Sequence, residues 1–337
     1  MTQAPARILV RWPNWLGDAL MARPFLRGLR AACASARIMA VAPEGFLALL
    51  AGDSVFDEAA ALRDARLDAR VRAFRAQVAF VLPPSFSSAW FALRHGIPRR
   101  IGFRGDARDV LLSEAISRPA RGELHLSREY LLLGRRFDVR EPAFRPLHPG
   151  GSGVPGRGVH AVRDALAGAL VLAPGAAYGP AKRWPQARFV ELGRRARAAH
   201  WPVAVCGAAE DAAVADAVAA AIGESAVALA GRTSLLDVAA ALRGARAVVS
   251  NDSGFAHLAA AVGAPTVAIF GSTSSAWTAP LGAARILQHP PVCSPCFQRH
   301  CAIGTLCLHA VTVDEAWAAA RAVGEGGMSA ALNMETR

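Results

Sequence analysis

Residues 6–32 read ARILVRWPNWLGDALMARPFLRGLRAA. The apolar run 6–12 has strand character, a Pro-Asn turn follows, and apolar residues then recur at helical spacing. Strand, tight loop and helix in that order open a Rossmann-like unit. The run is continuous rather than alternating, which predicts a parallel sheet covered on both faces.

Outward from this unit, RIMAVAP (37–43) and QVAFVLPP (77–84) read as further strands with helices between. PLHPGGSGVPGRG (146–158) reads as a linker, rich in Gly and Pro. A second α/β series follows, with strands expected at 169–175, 202–207, 226–231, 246–252 and 265–271 and helices at 186–199, 209–222, 234–243 and 253–262. Thr312 followed by Glu315 is a capping-box start for a last helix over 311–324, expected to pack back on the N-terminal domain. The expectation is α/β: two Rossmann-like domains, 1–150 and 151–337, whose parallel sheets face across a cleft. Ligands in such sheets bind outside the carboxyl ends of the strands.

Bulk properties narrow the function. Residues 1–150 hold 23 arginines against 14 acidic residues, whereas residues 151–337 hold 15 basic against 12 acidic residues. A basic first half fits an anionic partner such as a phosphorylated substrate, a nucleic acid or a membrane surface. A nucleic-acid binder is disfavoured, because no nucleic-acid module is recognisable and the basic excess is almost all arginine. No signal peptide or long apolar span is legible, so a cytoplasmic protein is expected, resting at most on a membrane surface. No GxxxxGK[ST] or GxGxxG occurs at a strand end, which disfavours P-loop and dinucleotide chemistry.

The candidate residues fall at strand ends. Lys182, in APGAAYGPAKRWP (173–185), is the only lysine of the chain. A compact ammonium on a turn-rich loop suits a phosphate. In NDSGFAH (251–257), Asp252 or Ser253 caps a helix whose N–H groups at Ser253 and Gly254, with His257 one turn in, form an anion site. IFGSTSSAW (269–277) is a third phosphate-friendly loop, and Glu210 is placed to accept from a ribose hydroxyl. Three such loops in one domain point to a bound nucleoside diphosphate. In the first half, Asp18 stands at the first strand end as a general base or a helix cap, beside Trp15. Ser85, Ser87, Arg100 and Arg104 lie within PPSFSSAWFALRHGIPRRIGFRGDARD (83–109), whose arginines and aromatics suit a phosphorylated sugar or a nucleic acid. Cys293, Cys296, Cys301 and Cys307 are spaced for a structural metal site. The chemistry above does not need one.

Taken together, ILVRWPNWLGDALMARPFLRGLR, VLPPSFSSAWFALRHGIPRRIGFRG, PGAAYGPAKRWP and NDSGFAHLAAAVGAPTVAIFGSTSS resemble the ADP-heptose:lipopolysaccharide heptosyltransferases, glycosyltransferase family 9. The resemblance runs through nearly the whole chain. It implies the GT-B fold and an inverting, metal-independent transfer of L-glycero-D-manno-heptose from ADP-heptose to a heptose of the lipopolysaccharide inner core. No cofactor is implied beyond the donor itself. It makes Asp18 the base and Lys182 a phosphate ligand, and it assigns diphosphate and sugar contacts to Asp252, Ser253, Gly254 and His257. Glu210 falls at the ribose, and Thr233 and Ser234 beside adenine. The implied partners are ADP-heptose, the phosphorylated acceptor and the inner-membrane surface. A same-fold transferase of another nucleotide sugar or core acceptor, and a non-catalytic sugar-nucleotide binder, are the alternatives.

Overall fold

The computed structural model describes residues 5–149 and 159–326. It divides into two compact units, the first holding the described residues up to Arg145 together with Pro149, and the second taking up the described residues from Val159 onward. Pro146–His148 also belongs to the second unit. Leu147 is fully buried there, and its N–H donates to the Ala261 carbonyl at 2.6 Å. The expected linker is therefore anchored at its start by an apolar side chain, and its remainder, 150–158, lies outside the described residues.

The first unit holds β1 (Arg7–Arg11), β2 (Arg37–Ala42), β3 (Glu58–Ala61), β4 (Val78–Val81), β5 (Arg99–Phe103) and β6 (Glu114–Ile116). The second holds β7 (Leu170–Ala173), β8 (Val203–Val205), β9 (Ala226–Ala228), β10 (Ala247–Asn251), β11 (Thr266–Phe270) and β12 (Ala284–Gln288). Every pairing is parallel. The orders are β3-β2-β1-β4-β5-β6 and β12-β11-β10-β7-β8-β9, the same doubly wound plan in each unit. In each, the order reverses beside the first strand: between β1 and β4, and between β7 and β10.

Burial follows from that plan. β4, β7, β10 and β11 are buried at every residue, as expected of strands covered on both faces. Leu9, Val41, Val81 and Phe91 belong to the core of the first unit. Leu172, Val249, Ile269 and Phe189 belong to that of the second.

The last helix, Val313–Glu325, opens with Thr312 accepting from the Glu315 N–H at 3.2 Å. Val313, Ala316, Ala319 and Ala320 join the core of the second unit, because these small residues let the helix pack closely on that unit's own sheet.

Candidate active site

The second unit carries the most complete cluster. Strand β7 leads into 174–182, ending in the short turn Pro180–Lys182, and β10 leads through Asp252 and Ser253 into the helix Gly254–Ala261. Both loops leave the carboxyl edge where the strand order reverses, where open α/β sheets take ligands. Lys182 Nζ lies 2.5 Å from Asp252 Oδ2, with side-chain exposures of 12% and 3%. Thr273, in the loop after β11, donates its hydroxyl to the same oxygen. The ammonium also lies 4.9 Å from the ring centroid of Tyr178, whose hydroxyl donates to the Phe297 carbonyl at 2.6 Å. An ammonium has three donors, and the carboxylate takes one. The arrangement holds a compact cation at the switch point with donors left for an anion.

Buried groups fix this loop from behind. Asn251, fully buried, donates to the Pro174 carbonyl at 2.7 Å and accepts from the Trp184 N–H at 2.9 Å, so one amide pins both ends of the lysine loop. Trp184, 2% exposed, donates its indole N–H to the Val311 carbonyl at 3.0 Å. Gly175 is needed for space: a Cβ there would collide with the Asp211 carboxylate. Asp211 is itself restrained by the Ala208 N–H at 3.1 Å.

Of the predicted donor residues, Lys182, Asp252, Ser253, Gly254 and His257 come together. Ser253 caps the helix, accepting from the Phe255 N–H at 3.3 Å. His257 is 5% exposed, one turn into the same helix. Glu210, Thr233 and Ser234 lie in the loops after β8 and β9. Glu210 is exposed. Ser234 caps the helix Leu235–Leu242, accepting from the Asp237 N–H at 3.1 Å. Thr233 donates to the Leu229 carbonyl at 3.4 Å.

In the first unit Asp18 lies inside the helix Leu16–Met21, in its first turn, and Trp15 occupies the cap position. Asp18 is therefore not the cap. Its carboxylate acts on Tyr130, a 3% exposed residue of the helix Leu126–Leu133. Burial first, then the nearby Asp18 charge, hold the Tyr130 hydroxyl well above its ordinary value of 10. Trp15 is 54% exposed beside them. Ser85 and Ser87, with hydroxyls 3.2 Å apart, open the helix Phe86–Arg94 after β4, on the other side of the first switch point.

The arginines divide. Arg104 follows β5 at the carboxyl edge, where its Nε donates to the Ala115 carbonyl at 3.1 Å. Arg100 does not belong to that edge. It sits at the amino end of β5 and donates to the carbonyls of Ile97 at 2.6 Å and Leu111 at 2.7 Å. Its guanidinium ties two turns together. Arg108, fully buried, reaches the β4 turn instead.

A cavity of about 870 Å³ opens at the carboxyl ends of β1, β2 and β3, lined by Arg11, Asn14, Glu44, Leu62, Arg63 and Arg70 among others. Arg11 is 6% exposed, donates to Asn14 Oδ1 at 2.7 Å, and is lowered by burial to about 10. None of these residues was expected from motifs. The available signal was Arg11 itself, a charge ending a buried apolar strand.

Cys293 is exposed and Cys307 buried, and among the described residues no group of three or more His, Cys, Asp or Glu side chains could hold a metal ion. Burial, then the charges of Cys301 and Cys296, push the Cys307 thiol up. Among the described residues no helix is long and apolar enough to cross a membrane.

Residues 65–306 match the family described as glycosyltransferase family 9 (heptosyltransferase). The lipopolysaccharide heptosyltransferase 2 of Escherichia coli K12 is 30% identical over 305 residues, spanning 84% of this chain and 88% of that one. The solved structure of the E. coli ADP-heptose lps heptosyltransferase II superposes with a TM-score of 0.76 at 27% identity, covering 95% of this chain and 99% of that one. A glycosyl transferase family 9 structure from Veillonella parvula gives 0.82 at 19% identity, covering 95% and 98%, a likeness of fold. The two doubly wound sheets are those of the GT-B fold.

Proposed function

Because this chain belongs to glycosyltransferase family 9, we propose that it moves L-glycero-D-manno-heptose from ADP-heptose to a heptose of the lipopolysaccharide inner core, with inversion. The observation that carries the reading is the buried Lys182–Asp252 pair at the switch point of the second sheet.

In this reading Asp18 accepts the proton of an acceptor hydroxyl. The oxygen attacks the anomeric carbon, the bond from that carbon to the diphosphate oxygen breaks, and ADP departs with the electron pair. Lys182 and the N–H groups at Ser253 and Gly254 meet the growing negative charge, the electrostatic effect that is usually the largest in catalysis. A protein cation at this point does the work of a divalent ion, so the transfer proceeds without metal. Glu210 contacts the ribose, and Thr233 and Ser234 lie beside adenine. The acceptor meets Trp15, Ser85, Ser87 and Arg104, and its anionic groups meet the Arg11, Arg63 and Arg70 cavity. Such an acceptor is lipid-anchored, which brings the protein to the cytoplasmic face of the inner membrane.

The test is turnover of ADP-heptose, with and without EDTA, on core acceptors truncated one sugar at a time. Release of ADP only when an inner-core heptose is exposed, undiminished by EDTA, supports the reading. Equal turnover of other nucleotide sugars, or none, removes it.

A further inference from the structure

The guanidinium of Arg108 is fully buried, yet its hydrogen bonds go to carbonyls and a hydroxyl, with no carboxylate among them. Nη1 donates to the Pro83 carbonyl, to the Ser85 carbonyl at 3.3 Å and to Ser88 Oγ at 3.3 Å, and Nη2 donates to the Val81 carbonyl at 3.2 Å. Nε has no partner. Asp106 and Asp109 act on it only through space, and burial lowers it to about 10. A buried charge without a counter-ion is costly, and a charged fork that gathers three carbonyls imposes a shape on them.

The gathered carbonyls belong to the end of β4 and the turn into the helix Phe86–Arg94. Ser88 reinforces the same turn, its hydroxyl donating to the carbonyls of Pro83 at 2.9 Å and Ser85 at 2.7 Å. With its carbonyls drawn inward, the turn holds Ser85 and Ser87 at its mouth with their hydroxyls 3.2 Å apart. Gly102, on neighbouring β5, makes room: a Cβ there would collide with Arg108 Nη2.

We propose that Arg108 is a positioning residue for the acceptor: its buried guanidinium sets the β4 turn so that Ser85 and Ser87 meet the incoming sugar. This rests on the reading of that turn as acceptor-binding. Arg108 touches no substrate and has no part in holding ADP, which the second unit does.

Steady-state kinetics on the full chain, varying a lipid-free inner-core acceptor and ADP-heptose separately, test it. Arg108→Lys keeps the charge and loses the fork, and Gly102→Ala displaces the fork from outside. Each is expected to raise the acceptor KM about tenfold or more, with the KM for ADP-heptose unchanged, as small misplacements do. Ser88→Ala, the mildest change, raises it less and serves if Arg108→Lys does not fold. Equal rises in both KM values, or an unchanged acceptor KM, overturn the proposal. If Ser85→Ala and Ser87→Ala raise the acceptor KM while the Arg108, Gly102 and Ser88 variants do not, positioning fails and the acceptor reading survives. If none of them does, both fall.

Discussion

Lys182 and Asp252 form a 2.5 Å ion pair joining the loops after β7 and β10, at the point where the order of the second sheet reverses. Thr273 donates to the same carboxylate oxygen, so Asp252 organises a cation and a hydroxyl together.

Removing the cation should therefore harm binding, turnover and stability together. Lys182→Ala leaves Asp252 buried without its partner, a change that costs about 3–5 kcal/mol in comparable pairs. We expect a lower unfolding midpoint, weaker ADP binding by calorimetry and a reduced kcat, with the stability loss partly recovered in Lys182→Ala/Asp252→Ala. Lys182→Arg restores the charge as a wide fork, and it should fold yet bind ADP poorly. Normal kinetics for the arginine variant would show that charge alone is required.

Asp18 makes the opposite prediction. It lies in the first unit, whereas the loops proposed for the nucleotide lie in the second. Asp18→Asn should lower kcat by about 10²–10⁴-fold, the usual contribution of a general base. ADP affinity should be largely unchanged, because the proposed base acts on the acceptor hydroxyl and not on the nucleotide. Retained turnover would remove Asp18 as the base.

Gly175 tests the loop without touching a ligand. Gly175→Ala places a methyl group against the Asp211 carboxylate, which the Ala208 N–H restrains. The loop carrying Lys182 must shift, and ADP affinity should fall about tenfold, as for a displaced contact. Asp211→Ala in the same chain should recover much of the loss, because the collision is gone. No recovery would mean that the methyl group acts elsewhere.

Alkaline pH exposes a different stress. Burial raises the Cys206 thiol from 9.0 to about 12. Between those values the unfolded chain releases a proton that the folded chain keeps, so this contribution to stability is complete below pH 9 and is lost as pH rises towards 12. Tyr130 adds the same trend above its ordinary value of 10. Urea midpoints should fall over this range, less steeply in Cys206→Ala. A flat profile, or alkylation of native Cys206 as fast as exposed Cys293, would contradict the burial.

The parts of the fold legible in sequence were those with dense apolar runs. β1, β2, β4 and most strands of the second unit announce themselves through Ile, Leu and Val. β3 is Glu-Ala-Ala-Ala, β5 opens on two arginines, and β6 has three residues, so tertiary pairing rather than propensity makes them strands. The same divide runs through the site. Lys182 and Asp252 were readable as punctuation at strand ends. Asn251, Thr273 and Asp211 were not, since their roles come from neighbours brought together across the sheet. Arg100 shows the same limit: its bonds to the Ile97 and Leu111 carbonyls come from turns that its own sequence neighbourhood does not announce.

The chain has two tyrosines. Tyr130 senses Asp18 in the first unit, and Tyr178 lies against Lys182 in the second. Uniform fluorotyrosine labelling would therefore yield two fluorine resonances without any engineering, one for each half of the reaction. Titration with ADP should move the Tyr178 line and acceptor the Tyr130 line, so a single spectrum would time the arrival of each substrate.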